Sequence, residues 1–160
     1  MFAFYTRGMS FVDIAFLKKS DLHNGVITYS RRKTRQQLMV RVEPETKKVI
    51  ESFGKNETAF LLPILTNEAY NLEQQYENAY FRINRNIQKV GAMLGLETKL
   101  TLYVARHAWA SIAHSNHVAL STISKAMGHD SEKTTIIYLQ SLDTSSVDKA
   151  NSDIIRMMDS

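Results

Sequence analysis

Tyr103-Val104-Ala105-Arg106-His107, then Met127-Gly128-His129-Asp130, then Thr134-Thr135-Ile136-Ile137-Tyr138-Leu139: these three stretches of the last third decide how the 160-residue chain reads. Spacing over 101–114 predicts a helix with Leu102, Ala105, Trp109, Ile112 and Ala113 as its core stripe and Tyr103, Arg106 and Ala110 on another face. A second helix runs from about Ala119 to Met127, with Gly128 as its stop. Ser131 caps a third, which carries Tyr138. An arginine, a histidine and a tyrosine thus follow one another at three consecutive helices. A phenol can attack a phosphodiester without metal if cationic and hydrogen-bonding groups surround the non-bridging oxygens, and arginine and histidine are such groups.

Upstream, residues 2 to 19 have helical spacing, with Gly8 marking a bend or a helix start near Met9, so Arg7 falls at or near a helix end. Val26–Tyr29 and Leu38–Val42 are β-rich runs around a polar segment, which predicts a hairpin with Lys33 near its turn. Pro44 opens a helix to about Phe53, ended by Gly54. Thr66 or Asn67 caps a long helical stretch over 68–94, and a final amphipathic helix is expected over 145–158. The expected fold is α+β and mostly helical, with a small antiparallel hairpin or sheet near the N-terminus.

At this length and 44% hydrophobic content the chain suits one domain with one sizeable core. Phe2, Phe4 and Tyr5 read as a helix already under way at residue 1, as in a domain (1–160) cut from a longer chain. Lys and Arg number 20 against 16 acids, a net charge of +4, which favours a polyanionic partner without identifying one. The absence of cysteine excludes disulfides and thiolate metal sites. His114 and His117 lack a third convincing ligand, so no metal or other cofactor is expected. No segment has the ~20 apolar residues of a membrane span or the form of a signal peptide, and the expectation is a cytoplasmic protein with no membrane partner.

Taken with Arg7 in Tyr-Thr-Arg-Gly-Met and Lys33 in Arg-Arg-Lys-Thr, the pattern closely resembles the catalytic domain of the tyrosine recombinase (phage-type integrase) family over nearly the whole chain. The resemblance implies site-specific recombination or integration by transesterification through a 3′-phosphotyrosyl link. Tyr138 would be the nucleophile, Arg7 and Arg106 the phosphate clamp, His129 the histidine of the Gly-His motif, and Lys33 the acid for the leaving 5′-oxygen. Lysine suits that role because desolvation beside cations lowers its pKa, which arginine cannot match. The implied partners are double-stranded DNA and further copies of the protein, a tetramer in the intact molecule, whereas this domain alone is expected to be monomeric and to bind DNA weakly. Arg31, Arg32 and Arg35 on the hairpin would add salt-dependent contacts to DNA phosphates.

One position departs from the family pattern: Tyr103 stands where most members have the histidine of His-x-x-Arg. A phenol can donate to a phosphate oxygen but is a poor proton acceptor at neutral pH, so Tyr103 is expected to orient phosphate. His107 points about 100° round the helix from Arg106 and is not an obvious substitute. That departure admits a non-cutting DNA-binding regulator as the alternative, and similar chemistry admits a type IB topoisomerase. Singly, Arg106 reads as a surface arginine, Tyr138 as a core aromatic and Gly128-His129 as an ordinary helix end. Their conjunction, in order and each in its expected local setting, carries the reading.

Overall fold

The computed structural model describes residues 1–97 and 99–140; the helix expected over 145–158 lies outside them. Seven α-helices, one short 3-10 helix (Lys19–Asp21) and one sheet are found among the described residues: α1 (Phe2–Tyr5), α2 (Phe11–Phe16), β1 (Leu22–His23), β2 (Val26–Ser30), β3 (Gln37–Arg41), α3 (Pro44–Ser52), α4 (Leu72–Met93), α5 (Val104–Ser115), α6 (Leu120–Met127) and α7 (Glu132–Gln140). The α+β, mostly helical expectation holds, with a three-stranded antiparallel sheet in the order β1-β2-β3.

Most boundaries follow from local chemistry. Ser10 caps α2, its Oγ accepting the Asp13 N–H and donating to the Asp13 carboxylate. Pro44 occupies the start of α3, where its missing N–H costs nothing. The long helix begins at Leu72, later than expected, because Asn71 accepts the Gln74 N–H as its cap. Asn67 instead holds a local turn through the Ala69 N–H. Strand β1 escaped the sequence reading although Asn24-Gly25 signals it. Both residues have positive φ (49° and 74°) and form the two-residue turn joining Leu22↔Ile27 to His23↔Val26.

Two apolar clusters form. The first joins α1, α2, the sheet and the 60–62 segment through Phe2, Met9, Ile14, Leu17, Ile27, Tyr29, Val40, Leu61 and Leu62. The second joins α5, α6 and α7 through Ala110, Ala113, Ile123, Met127 and Leu139. The packing face of α5 differs in part from the expected one: Ala113 is buried as expected, but Arg106 and Ala110 are buried too, while Ile112 is 51% exposed. Side chains for packing and for chemistry therefore share one face of that helix. Arg106 stands where the two clusters meet, and the seam between them is where the candidate site lies.

Candidate active site at the seam between the two clusters

Two helix-ending turns of the same design build the site's framework. At the end of α1 the Arg7 N–H donates to Phe4 O (3.2 Å) and the Gly8 N–H to Ala3 O (2.8 Å), closing the last turn around Thr6. Arg7 takes the left-handed position, φ 60°, where a side chain costs about 1–2 kcal/mol relative to glycine. At the end of α6 the Gly128 N–H donates to Lys125 O (3.2 Å) and the His129 N–H to Ser124 O (3.0 Å), with Gly128 at φ 62°. Each turn thus presents a candidate side chain, Arg7 or His129, and a carbonyl facing α5.

Those carbonyls hold Arg106. Its Nη1 donates to Gly8 O (2.7 Å) and its Nη2 to Met127 O (2.8 Å), and the residue is 4% exposed. The approach is close enough that a Cβ on Gly8 would lie 3.0 Å from Arg106 Cα, so glycine is required there. Among the described residues the ion pairs are Arg31–Asp13, Arg32–Glu73 and Lys47–Glu51, none of which neutralises Arg106. Burial, and then Arg31, lower its pKa from the ordinary arginine value. A guanidinium has five N–H donors; two meet carbonyls and a third meets His129, leaving donors for an anion.

His129 Nε2 lies 3.2 Å from Arg106 Nη2 and its Nδ1 lies 2.9 Å from Thr135 Oγ1, Thr135 being fully buried on α7. Burial, then Arg106 and Arg31, push the imidazole pKa down to about 4, so it is neutral at pH 7. The neutral ring accepts from Arg106 and donates Nδ1–H to the threonine, which fixes its tautomer. The Tyr138 ring stands edge-on to His129, centroids 5.5 Å apart. Burial pushes the Tyr138 phenol up to about 12, against an opposing pull from Arg106.

The Tyr138 hydroxyl lies 2.8 Å from His107 Nδ1, with the two rings stacked at 5.4 Å and 17°. His107 points about 100° round the helix from Arg106 and was not an obvious substitute for the missing histidine; α7 packs on the flank of α5 that carries it, which is how it meets Tyr138. Tyr103 is the residue before α5, 48% exposed, with its ring 5.0 Å from His107 one helical turn later. The structure therefore brings Tyr103, Arg106, His107, His129 and Tyr138 together. Arg7 adjoins them through Gly8, its own Nη1 donating to Met39 O on β3 (3.3 Å).

The hairpin residues divide. Lys33 is exposed and close enough to lower the His129 pKa, and Arg35 is exposed with φ 60°. Arg32 lies over the Phe16 ring at 3.8 Å and pairs with Glu73 at 2.8 Å, so it is drawn toward α4. Arg31 differs from the expected DNA contact: it is 5% exposed, donates to Gly128 O and lies 3.8 Å from Asp13. The first residue after β2 turns inward, where a buried carboxylate and a helix-end carbonyl attract it more than solvent does. No group of three or more metal-ligating side chains occurs among the described residues, and no helix there is long and apolar enough to cross a membrane.

The phage integrase family model matches residues 2–145. The tyrosine recombinase XerA of Saccharolobus solfataricus is 25% identical over 122 residues, covering 76% of this chain and 37% of that protein. A crystal structure of XerA recombinase superposes with a TM-score of 0.65 at 21% identity, covering 94% of this chain and 55% of that one. The Tn1549 transposon integrase in complex with transposon right end DNA gives 0.61 at 15% identity, covering 98% and 57%. XerH recombinase bound to palindromic difH substrate gives 0.59 at 16%, covering 94% and 45%. The solved structures show a shared fold, and the chain spans about half their length.

Proposed function

Because the chain belongs to the phage integrase family, the tyrosine recombinases, we propose that it is the catalytic domain of a site-specific recombinase that cuts and rejoins double-stranded DNA through a 3′-phosphotyrosyl link. The observation that carries this is the buried Arg106, uncompensated by any carboxylate among the described residues, in one cluster with His129 and Tyr138. A buried cation without an anion is costly, and a scissile phosphate would supply that anion.

Tyr138 Oη attacks phosphorus and the 5′-oxygen leaves. Arg106 and Arg7 offset the charge that grows on the non-bridging oxygens, where one lost donor typically costs about 3 kcal/mol of barrier. His129, held by Thr135, and the Tyr103 hydroxyl face the same oxygens. Lys33, on the hairpin and near enough to lower the His129 pKa, gives its proton to the departing 5′-oxygen. Lys33 and Arg35 also contact flanking phosphates. The neighbours solved with transposon end DNA and with difH support a DNA substrate. The intact protein acts as a tetramer that exchanges paired strands through a four-way junction.

Covalent trapping tests this. The protein is incubated with nicked suicide duplexes without metal, and a protein–DNA adduct is sought on a denaturing gel. The expected result is an adduct that Tyr138→Phe abolishes. Sequence-selective binding without an adduct would replace this reading with a non-cutting regulator.

A further inference from the structure

We infer that His107 is the general base that takes the phenol proton from Tyr138 as it attacks the phosphate. The inference rests on Tyr138 being the nucleophile, as proposed above, and adds a proton acceptor that the Arg, Lys, His and Tyr set does not contain.

Geometry is the argument. Nδ1 of His107 is 2.8 Å from the Tyr138 hydroxyl, and the two rings are stacked, so hydroxyl and ring nitrogen meet in a defined orientation. Other candidates face elsewhere. Both nitrogens of His129 are engaged, one by Arg106 and one by Thr135. Tyr103 is a phenol and no better a base than the nucleophile. Arg106 stays charged, and Lys33 is exposed on the hairpin, where it acts on His129 and is assigned the opposite role, proton donor to the 5′-oxygen.

The groups that face His107 among the described residues are Arg106 on its own helix, Tyr103 before it and Tyr138 on α7. Burial, and then Arg106, lower the His107 pKa from 6.5, which keeps the ring neutral at pH 7 and able to accept the phenol hydrogen. The entering phosphate reverses the effect of Arg106 by adding negative charge as the imidazolium forms. Its location explains how the chain tolerates Tyr103: the acceptor has moved one helical turn along α5.

The step balances. The Oη–P bond forms as the P–O5′ bond breaks, the Oη proton passes to Nδ1, and Lys33 protonates the 5′-oxygen. On rejoining, the 5′-hydroxyl attacks phosphorus and returns its proton to Lys33. The imidazolium gives its proton back to Tyr138 as the Oη–P bond breaks.

The test uses the full protein that carries this chain and a nicked duplex that the wild type selects for adduct formation from a randomised pool. That duplex is prepared with oxygen or sulfur at the scissile 5′ position. Single-turnover cleavage by His107→Ala and by His107→Asn is expected to be about 100-fold slower than wild type, with DNA binding unchanged. Asparagine keeps an acceptor for the phenol but cannot carry its proton, and its size guards against a folding defect. Sulfur makes the leaving group independent of an acid, so it is expected to rescue Lys33→Ala and leave both His107 variants slow. The acid limb of the wild-type rate profile is expected to vanish in His107→Asn. A Tyr138-dependent adduct that forms within threefold of the wild-type rate in His107→Ala or His107→Asn overturns the base. No adduct from the wild type, or one that survives Tyr138→Phe, overturns the nucleophile and the inference with it.

Discussion

Replacing Arg31 by methionine separates the buried arginine of the structure from the DNA contact that the basic hairpin suggests. The Arg31 and Asp13 side chains are 6% and 1% exposed. Methionine retains the apolar stem but leaves the Asp13 charge with only the Ser10 hydroxyl and the Arg32 N–H, and removes the donor to Gly128 O. Breaking a buried pair costs about 3–5 kcal/mol, and the low end applies because the pair is 3.8 Å apart and Asp13 keeps those two donors. An orphaned carbonyl adds roughly 1 kcal/mol, so the total is about 4 kcal/mol. With a urea slope of about 2 kcal/mol/M the midpoint should fall by about 2 M. A cycle with Asp13→Asn should show coupling of at least about 1 kcal/mol. A midpoint within about 0.5 M of wild type, together with a salt dependence of DNA affinity shallower by about 0.9, would refute the argument and return Arg31 to the surface.

Arg7 offers a comparison in which both variants lose the same side chain. Arg7→Gly should be more stable than Arg7→Ala by about 1 kcal/mol, because only alanine keeps the left-handed strain; equal denaturation midpoints would count against it. Stability should fall on acidification from pH 6.5 toward 4. The unfolded His129 gains a proton near 6.5 while the folded one resists to about 4, so its contribution is complete above 6.5 and lost on the way down. His107 acts in the same direction. His129→Gln should therefore shrink the drop in urea midpoint between pH 7 and pH 4.5, and an unchanged drop would contradict the shift. In DNA titrations, Lys33→Ala and Arg35→Ala should each flatten the salt slope by about 0.9. Arg32→Ala, whose charge already meets Glu73, should flatten it less.

Much of the fold was legible because it depends on neighbours in the chain. Pro44, Gly128 and Ser131 mark helix ends through their own hydrogen bonds or φ angles, and the β-rich runs mark β2 and β3, whereas the Ser10 cap of α2 and the pairing of Ile27 with Val40 emerged only in the structure. Strand β1 was readable too, from Asn24-Gly25, and was missed. The start of α4 was misplaced because Asn67 and Asn71 are equally good caps in sequence, and the Gln75 side chain, bonding the Thr66 and Asn67 N–H groups, holds Asn67 outside the helix.

By itself the sequence determined the order Arg7, Lys33, Arg106, His129, Tyr138 and the local setting of each, since caps, turns and periodicity act within a few residues. Only the tertiary structure decided that Arg31 lies inside, that Ile112 faces out, and that His107 meets Tyr138. Helical periodicity tells which side chains share a face but not which element arrives to cover it. That choice was made at the seam of the two apolar clusters, where α7 settles against one flank of α5 and two helix-end carbonyls close on Arg106.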